Sequence, residues 1–431
     1  MSPPTEFARV PRLTSRGSRV SLGVALWLLG TLPFLTRLYT GWTSWDVGHY
    51  LACTRAFLAG QGIYTAVPFE YPPYALAWFA GPASAARDVE AFRHALGLLI
   101  WVLDAAIKAV VLWLGLDGRG RPNVWPFIAY TLTTTALGHI LLQRFDVIPA
   151  ALSVFALVAF ARGWAATSGV IAGIAIGTKA YPALLVPVLI ASTWRRDRSR
   201  AVRFVAGAAL ALSPLLATSF WGPWWRFASA HTGRGLEAES LWASVVWLLH
   251  YAGLPARWEI VTAWVEVTGP TVSVLLTPVR LLWMAATAAA VVLSSRLAMA
   301  DHVFDTEATP LDRHRGRLGT LAALVLVPIA TFVVLSPVLS PQFHLWLAPL
   351  AGLALLGRHD PMSVSGAIAT RRALWCIVLS GLLVPAFFPS RTFDTGLDLG
   401  RTFVLVIRNG LLAYGVACLW RAVTRPRPRR S

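Results

Sequence analysis

The chain has 431 residues, of which 56% are hydrophobic and only 13% are charged, and its mean hydropathy is +0.60. A soluble domain of average composition has about 25% charged residues, so these figures exclude an ordinary water-soluble globular protein. Apolar stretches of roughly 15–22 residues recur along the whole chain, which is typical of a multi-pass membrane protein.

The net charge of +18 would suit a nucleic-acid-binding protein, but the positions of the basic residues argue against one. Arginines cluster at alternate breaks between the apolar stretches, in segments 9–19, 119–121, 195–203, 313–317, 371–372 and the C-terminal RAVTRPRPRR. Membrane proteins keep such clusters on the cytoplasmic side of the bilayer. We therefore expect no nucleic-acid partner, and we predict that both termini are cytoplasmic.

The first apolar stretch, at about residues 20–38, predicts a membrane span rather than a cleaved signal peptide. It is longer than a signal-peptide core, and RLYTGW follows it instead of a small-residue cleavage site. Further spans are predicted at about 91–115, 123–140, 146–161, 201–219, 279–298, 318–337, 343–357, 373–389 and 402–421. Residues 165–193 carry Lys179 at their centre, so we predict two half-length helices that meet near GTKAYP.

About twelve transmembrane helices result, with basic segments 1–19 and 422–431 on either side of one membrane domain at 20–421. Two long outer loops are predicted, at about 40–90 and 220–278. In the first loop, YLACTRAFL has apolar residues at helical spacing, namely Tyr50, Leu51, Phe57 and Leu58. This pattern predicts an amphipathic helix on the membrane surface, and the prolines of FEYPPY then predict turns.

The predicted topology places eleven of the twenty acidic residues in the outer loops or at the outer ends of helices. One more, Asp104, falls in the middle of a span. Acidic groups are costly inside the bilayer, so a concentration of them on one face indicates where polar chemistry takes place. We therefore expect the functional residues on the outer face.

The stretch GWTSWDVGHY places Asp46 where the chain leaves the first span. A carboxylate at the bilayer edge can accept a proton from a substrate hydroxyl, and Trp42, Trp45 and Tyr50 can partly desolvate it. The same residue can serve instead as the N-cap of a surface helix that starts near Val47. The residues alone leave both interpretations open, and the two are compatible.

The segment LLQRFD places Gln143, Arg144 and Asp146 at an outer helix end. In the structural interpretation, Asp146 caps the helix that contains Pro149, and Arg144 extends its charge toward the interface. In the functional interpretation, Gln143 and Asp146 bind sugar hydroxyls. We favour the structural interpretation and keep these residues as candidate substrate ligands.

The segment GVIAGIAIGTKAYP has glycines at 169, 173 and 177, a spacing that lets helices pack closely in lipid. It is not a nucleotide-binding P-loop, because the lysine follows the last glycine by two positions within an apolar span. Lys179 can extend its ammonium to the interface or bind a phosphate. The predicted helix break favours the phosphate.

The segment HTGRGLEAES is the densest polar cluster of the outer loops. His231, Arg234, Glu237 and Glu239 offer both signs of charge, and a glycine lies on each side of Arg234. A solvated loop with weak ion pairs is the structural alternative. The preceding WGPWWRF suggests contact with the membrane surface or with sugar rings, so we favour a functional loop.

The segment SPVLSPQFHLWLAP places Gln342 and His344 at the start of a helix. Proline is common in the first turn, so helix initiation explains the prolines. The glutamine and the histidine can still face a ligand in the outer cavity.

Charged residues inside two predicted spans need partners or a function. Asp104 and Lys108 are four positions apart, so a structural ion pair explains both. Arg408, beside Asn409 in the last span, has no sequence neighbour of opposite charge. Binding of an anionic ligand is therefore one interpretation of Arg408.

No cofactor or metal is expected from the sequence. There is no HExxH motif and no paired-cysteine motif, and Asp46 with His49 is too little to hold a metal ion. Hydrolase and dinucleotide-binding signatures are also absent.

Several of these segments, taken in order, resemble one family of membrane enzymes. They are DVGHYLACTRAFLAGQGIYTAVPFEYPPYALAWF, the stretch from LLQRFD to KAYPALLVPVLI, HTGRGLEAES and SPQFHLWLAPL. Together they are similar to the GT-C integral-membrane glycosyltransferases of actinobacteria. The nearer resemblance is to glycosyltransferase family 87, which includes polyprenyl-phosphate-mannose-dependent α-mannosyltransferases, and it covers roughly residues 20–420.

The resemblance implies an all-α GT-C bundle in the bacterial cell membrane, with the active site on its extracytoplasmic face. It implies a polyprenyl-phosphate sugar donor, a glycolipid or glycan acceptor, inversion at the anomeric carbon, and an acidic base in the first outer loop. Asp46 occupies that position. The candidate substrate-binding residues are Tyr71, Gln143, Arg144, Asp146, Lys179, His231, Arg234, Glu237, Glu239, Gln342 and His344, followed by His49, Glu70 and Arg408.

Other functions remain open at the level of sequence. The donor sugar can be arabinofuranose or glucose instead of mannose. A secondary transporter of a lipid-linked or anionic solute would also have broken helices and intramembrane charges. A transporter should, however, carry its polar site near the midplane, whereas this chain concentrates its acids in the outer loops.

Overall fold

The structure is a computed structural model that describes residues 16–65, 68–116, 122–218, 223–229, 233–261, 264–300, 310–356, 364–387 and 398–424. Its N-terminal half contains α1 (Arg16–Thr31), α2 (Pro33–Leu38), α3 (Trp45–Leu58), α4 (Tyr74–Ala85), α5 (Val89–Leu116), α6 (Trp125–Leu137), α7 (His139–Gln143), α8 (Val147–Ala161), α9 (Ala165–Thr178), α10 (Leu185–Trp194) and α11 (Arg198–Thr218). Its C-terminal half contains α12 (Arg226–Ser229), β1 (Leu236–Glu237), α13 (Leu241–Tyr251), β2 (Arg257–Val261), β3 (Trp264–Thr268), α14 (Pro270–Ala298), α15 (Pro310–Leu335), α16 (His344–Ala354), α17 (Val364–Leu382), α18 (Val384–Phe387) and α19 (Leu399–Thr424).

The predicted all-α membrane fold is confirmed. Among the described residues, six helical segments are long and apolar enough to cross a bilayer, namely Gly17–Leu38, Val89–Leu116, Arg198–Leu216, Pro270–Ala298, His314–Leu335 and Leu399–Ala422. Shorter apolar helices follow at Val147–Ala161, Ala165–Thr178 and Tyr181–Trp194. Each of the predicted spans coincides with a helix, because an apolar stretch in lipid must satisfy its backbone internally.

The predicted break near GTKAYP is also confirmed. Helix α9 ends at Thr178, and a 3-10 turn at Tyr181–Leu184 leads into α10. Fourteen residues of α9 give a helix of about 21 Å, shorter than the hydrocarbon core. The glycines explain its packing, since a Cβ at Gly169 would overlap the Phe204 carbonyl oxygen of α11.

The surface helix predicted in the first outer loop is present as α3, with Tyr50 and Leu51 buried and Phe57 and Leu58 exposed. Residues seven positions apart lie on the same helix face, so the four apolar side chains share one side of α3. A further helix, α4, was not predicted, and it begins directly after Pro73. Proline at a helix start leaves the helix intact, because the first N–H groups have no partner in the helix.

The second predicted outer loop contains a small sheet that the sequence analysis missed. Strands β1, β3 and β2 form an antiparallel sheet in that order, with Leu236 opposite Val267 and Trp258 opposite the same valine. Helix α14 begins at Pro270, earlier than the predicted span at 279. The sheet and α13 pack on a second apolar core, which holds the loop in a defined position.

The predicted intramembrane ion pair is confirmed. Nζ of Lys108 lies 2.6 Å from Oδ2 of Asp104, and both side chains are fully buried in α5. The ammonium also donates a hydrogen bond of 2.8 Å to the Gly30 carbonyl of α1. The pair thus joins α5 to the first membrane helix and has a structural role.

Candidate functional site

A cavity of about 790 Å³ lies where the loops and helix ends of the two halves of the chain meet. Its lining contains four cationic side chains and four carboxyl groups: Arg144, Lys179, Arg234, Arg280, Asp46, Glu70, Glu237 and Glu239. The same lining contains apolar and aromatic side chains: Trp258, Trp283, Met284, Phe332, Phe343 and Trp346. The cavity therefore suits a ligand with a polar head and an apolar tail.

Asp46 lies in the first turn of α3 and lines the cavity. The helix begins at Trp45, and Ser44 occupies the N-cap position without a side-chain capping bond. The interpretation of Asp46 as an N-cap is therefore wrong. Its Oδ1 instead accepts a hydrogen bond from the guanidinium of Arg144, and its side chain is 13% exposed.

Gln143 fixes the backbone that leads into α3. Its Oε1 accepts a hydrogen bond of 2.6 Å from the Ser44 amide, and its Nε2 donates one of 2.7 Å to the Trp42 carbonyl. Gln143 is buried and does not line the cavity. Because Asp46 follows this segment directly, Gln143 positions the carboxylate rather than binding a ligand.

Asp146 and Lys179 form a second ion pair at the cavity. Nζ of Lys179 lies 2.7 Å from Oδ1 of Asp146, and Nε1 of Trp346 donates a hydrogen bond of 2.6 Å to the same oxygen. Asp146 stands at the N-cap position of α8 but makes no side-chain capping bond. The two structural interpretations of this segment, a capping Asp146 and an Arg144 extended to the interface, are therefore wrong.

The ammonium of Lys179 lies among aromatic rings. It is 4.7 Å from the centroid of Phe145, 5.2 Å from Trp346 and 5.4 Å from Tyr71, within the range of cation–π attraction. Tyr71 and Trp346 also line the cavity, whereas Asp146 lies behind the lysine and is 1% exposed. Lys179 thus presents a fixed positive charge to the cavity.

A third ion pair joins the two predicted outer loops. Nη2 of Arg234 lies 2.7 Å from Oε2 of Glu70. Arg280, on α14, donates a hydrogen bond to the carbonyl oxygen of Arg234. These contacts link the segment before α4, the segment before β1 and the third turn of α14 on one side of the cavity.

Glu237 and Glu239 are buried carboxyls of the segment around β1. The pKa of Glu237 is raised to about 7 and that of Glu239 to about 8, mainly because burial disfavours the charged carboxylate. Oε2 of Glu237 has no hydrogen-bond partner among the described residues. Glu239 accepts a hydrogen bond of 2.7 Å from Nη1 of Arg408. Arg408 also donates to the Glu239 carbonyl, so the buried arginine has hydrogen-bond partners from the protein.

The remaining candidates fall in different places. Gln342 lines the cavity and accepts a hydrogen bond of 2.6 Å from the Ser340 hydroxyl. His344 is buried outside the cavity lining and contacts the Ser380 hydroxyl at 3.1 Å. His49 also lies outside the lining and stacks on Trp45. His231 lies outside the described residues.

Arg280 and the apolar residues beside it line the cavity although the sequence pattern did not single them out. Arg280 lies at the edge of the span predicted at 279–298. A signal was present, because an arginine at the outer end of a span runs against the positive-inside distribution. Trp283 and Met284 follow at helical spacing on the same face of α14, and both line the cavity.

No family model matches the chain, and no curated protein matches it. The chain is similar to solved structures that include ArnT from Cupriavidus metallidurans bound to undecaprenyl phosphate and ArnT in the apo state. Each is 14% identical, with 94% of this chain and 76% of that chain covered and a TM-score of 0.44.

Proposed function

We propose that this chain is a membrane glycosyltransferase of the GT-C type. The transferred sugar is a hexose, and we propose mannose. It passes from a polyprenyl-phosphate donor to a glycolipid or glycan acceptor on the extracytoplasmic face of the cell membrane. Asp46 is the general base. The observation that carries this proposal is the presence of a cation-bound carboxylate, Asp46, in a cavity whose wall is partly charged and partly apolar.

The charge pattern supports a phosphate leaving group. Departure of a polyprenyl phosphate places growing negative charge on its oxygens, and fixed cations in a partly water-excluded site stabilise such charge strongly. Arg144, Lys179, Arg234 and Arg280 provide four cations around one cavity. The apolar wall of the same cavity can hold the first isoprene units of the lipid.

The position of Asp46 supports the role of base. Arg144 contacts Oδ1 and keeps the carboxylate oriented, while no hydrogen bond to Oδ2 is found within the described part of the chain. Oδ2 can then accept the proton of an acceptor hydroxyl. The hydroxyl oxygen forms a bond to the anomeric carbon as the bond from that carbon to the phosphate oxygen breaks. One displacement with one base predicts an inverted product.

The activity can be tested on membranes that contain the protein. Membranes are incubated with radiolabelled polyprenyl-phosphate mannose, and in parallel with the corresponding arabinofuranose and glucose donors, and the labelled products are profiled. We expect a labelled glycolipid or glycan from the mannose donor. Label from only the arabinofuranose or glucose donor would correct the sugar, and solute accumulation in vesicles without a covalent product would favour the transporter.

A further inference from the structure

We infer that Arg280 binds the phosphate of the lipid donor and that the prenyl chain follows the α14 face formed by Trp283 and Met284. This inference rests on the proposed function, since it assigns one substrate group to one part of the same cavity. It differs from the expectation drawn from the sequence, in which Lys179 was the candidate for binding a phosphate.

The ion pairs separate Arg280 from the other cations of the cavity. Arg144 is paired with Asp46, Lys179 with Asp146 and Arg234 with Glu70. No ion pair of Arg280 with a carboxylate is found among the described residues, and its hydrogen bond goes to the neutral carbonyl of Arg234. A guanidinium has five N–H donors, so this contact leaves donors for a ligand.

The location of Arg280 on α14 supplies the second part of the inference. Trp283 and Met284 follow it at i+3 and i+4, so all three lie on one face of the helix, and all three line the cavity. Nε1 of Trp283 donates a hydrogen bond of 2.8 Å to the Phe332 carbonyl of α15, which fixes the ring. An arginine therefore stands at one end of an apolar strip built from α14 and α15.

This arrangement matches the two chemical parts of a polyprenyl phosphate. Met284 is 55% exposed. In the most apolar 18-residue stretch of α14, only 17% of the residues are buried inside the protein. The apolar strip therefore continues onto a helix face that is open to lipid. A prenyl chain can enter along that face from the bilayer. Its phosphate then reaches the guanidinium, which can contact two phosphate oxygens at once.

The charges around Arg280 also favour binding of the donor phosphate at this position. Within the described part of the chain, Arg144, Lys179 and Arg234 each contact a carboxylate, and an anionic phosphate would provide Arg280 with a negative partner as well. Arg234 lies next to Arg280 through its carbonyl and can contribute a second positive charge to the same phosphate. Cooperation between the two arginines would also fix the position of the segment before β1.

The test measures how much binding depends on the phosphate. The purified full chain, in nanodiscs, is titrated with decaprenyl phosphate and with decaprenol, which lacks the phosphate. The wild-type protein should prefer decaprenyl phosphate. In Arg280→Gln, we expect affinity for decaprenyl phosphate to fall by about 10- to 100-fold, as for loss of a hydrogen bond to a charged group, with unchanged decaprenol binding. Arg280→Lys should retain part of the preference.

Matched controls separate this role from a structural one. Arg296→Gln removes an exposed arginine from the last turn of the same helix and should leave both affinities unchanged. If Arg280 has only a structural role, Arg280→Gln should lower the affinity for decaprenol and the affinity for decaprenyl phosphate together, and the inference would be wrong. Nanodiscs with and without phosphatidylglycerol distinguish the donor phosphate from an ordinary anionic headgroup, since competition by that lipid would assign Arg280 to the headgroup.

The outcomes also distinguish this inference from the proposed function. If wild-type protein transfers sugar and binds decaprenyl phosphate, but Arg280→Gln retains the full preference for the phosphate, the inference is wrong and the function stands. If wild-type protein shows no preference for decaprenyl phosphate over decaprenol, the proposed lipid donor itself is wrong.

Discussion

The guanidinium of Arg144 donates a hydrogen bond to Oδ1 of Asp46, although the two residues lie 98 positions apart in the sequence. The contact joins the first turn of α3 to the segment between α7 and α8. It holds a carboxylate in place at the cavity wall. The proposed chemistry depends on this relationship, and the first prediction follows from it.

Replacement of Asp46 by asparagine should abolish most of the transfer activity without loss of folding. The change preserves the size of the side chain and removes its ability to accept a proton. Loss of a positioned general base typically lowers the rate by ~10²–10⁴. Initial rates of sugar transfer by the purified variant give the measurement. Glu259→Gln, an exposed acid on β2, is the matched control and should retain full activity. Full activity of folded Asp46→Asn would remove Asp46 as the base.

Replacement of Gln143 by alanine should lower kcat by about tenfold and leave the KM for donor unchanged. The variant loses both hydrogen bonds that hold the backbone before Asp46, so the carboxylate is less well positioned, and small displacements are costly in catalysis. Steady-state kinetics at varied donor concentration separate the two constants. A large rise in KM with unchanged kcat would show that Gln143 contributes to donor binding instead.

Glu237→Gln should change how stability depends on pH. Burial raises the pKa of Glu237 from 4.5 to about 7, so the folded protein binds this proton more tightly than the unfolded chain does. The stabilisation is present below pH 4.5 and is lost as pH rises through 7. Glutamine does not titrate, so the variant does not lose stability in this way. The free energy of unfolding of the variant relative to wild type should therefore rise between pH 5 and pH 8, by up to ~3 kcal/mol. Thermal unfolding in detergent at both pH values measures the difference, and a constant difference would contradict it.

Lys108→Met should destabilise the protein strongly, because it leaves Asp104 as an unpaired buried carboxylate. Breaking a buried ion pair from one side typically costs about 3–5 kcal/mol. The double variant with Asp104→Leu removes both charges and should recover most of the loss. Unfolding midpoints of the single and double variants provide the measurement. Equal destabilisation in both would show that the two charges do not compensate each other.

Cysteines introduced at Gln61 and Ser199 test the topology. The background variant has Cys53, Cys376 and Cys418 replaced by alanine. We expect a membrane-impermeant thiol reagent to label position 61 on intact cells and position 199 only after permeabilisation, because arginines surround position 199. Labelling of position 199 on intact cells would reverse the topology and move the cavity to the other face.

The helices could be predicted from the sequence because apolar length dominates their signal. The break at Lys179 was also predictable, since a lysine within an apolar stretch needs a polar environment. The sheet formed by β2 and β3 was missed because the segment was interpreted by its place between two spans. Its alternation of apolar and polar residues, as in RWEIV, is a strand signal on its own.

The partners within the cavity could not be predicted from the sequence. Arg408 has Glu239 as its partner, 169 positions away, and Lys179 has Asp146, 33 positions away. Such pairs depend on how loops and helix ends meet, whereas the sequence pattern reports only local spacing. Asp104 and Lys108 were predictable because one helix brings positions i and i+4 together.

The most direct test of the central proposal is a time course of donor consumption by the purified protein in nanodiscs. Polyprenyl-phosphate mannose and acceptor extract are mixed with wild-type protein, and free polyprenyl phosphate and the anomeric form of the product are followed together. We predict that one polyprenyl phosphate is released for each mannose transferred, with inversion at the anomeric carbon, and that Asp46→Asn releases almost none. Folded wild-type protein that binds the donor but forms no glycoside with any acceptor fraction would contradict the proposed function.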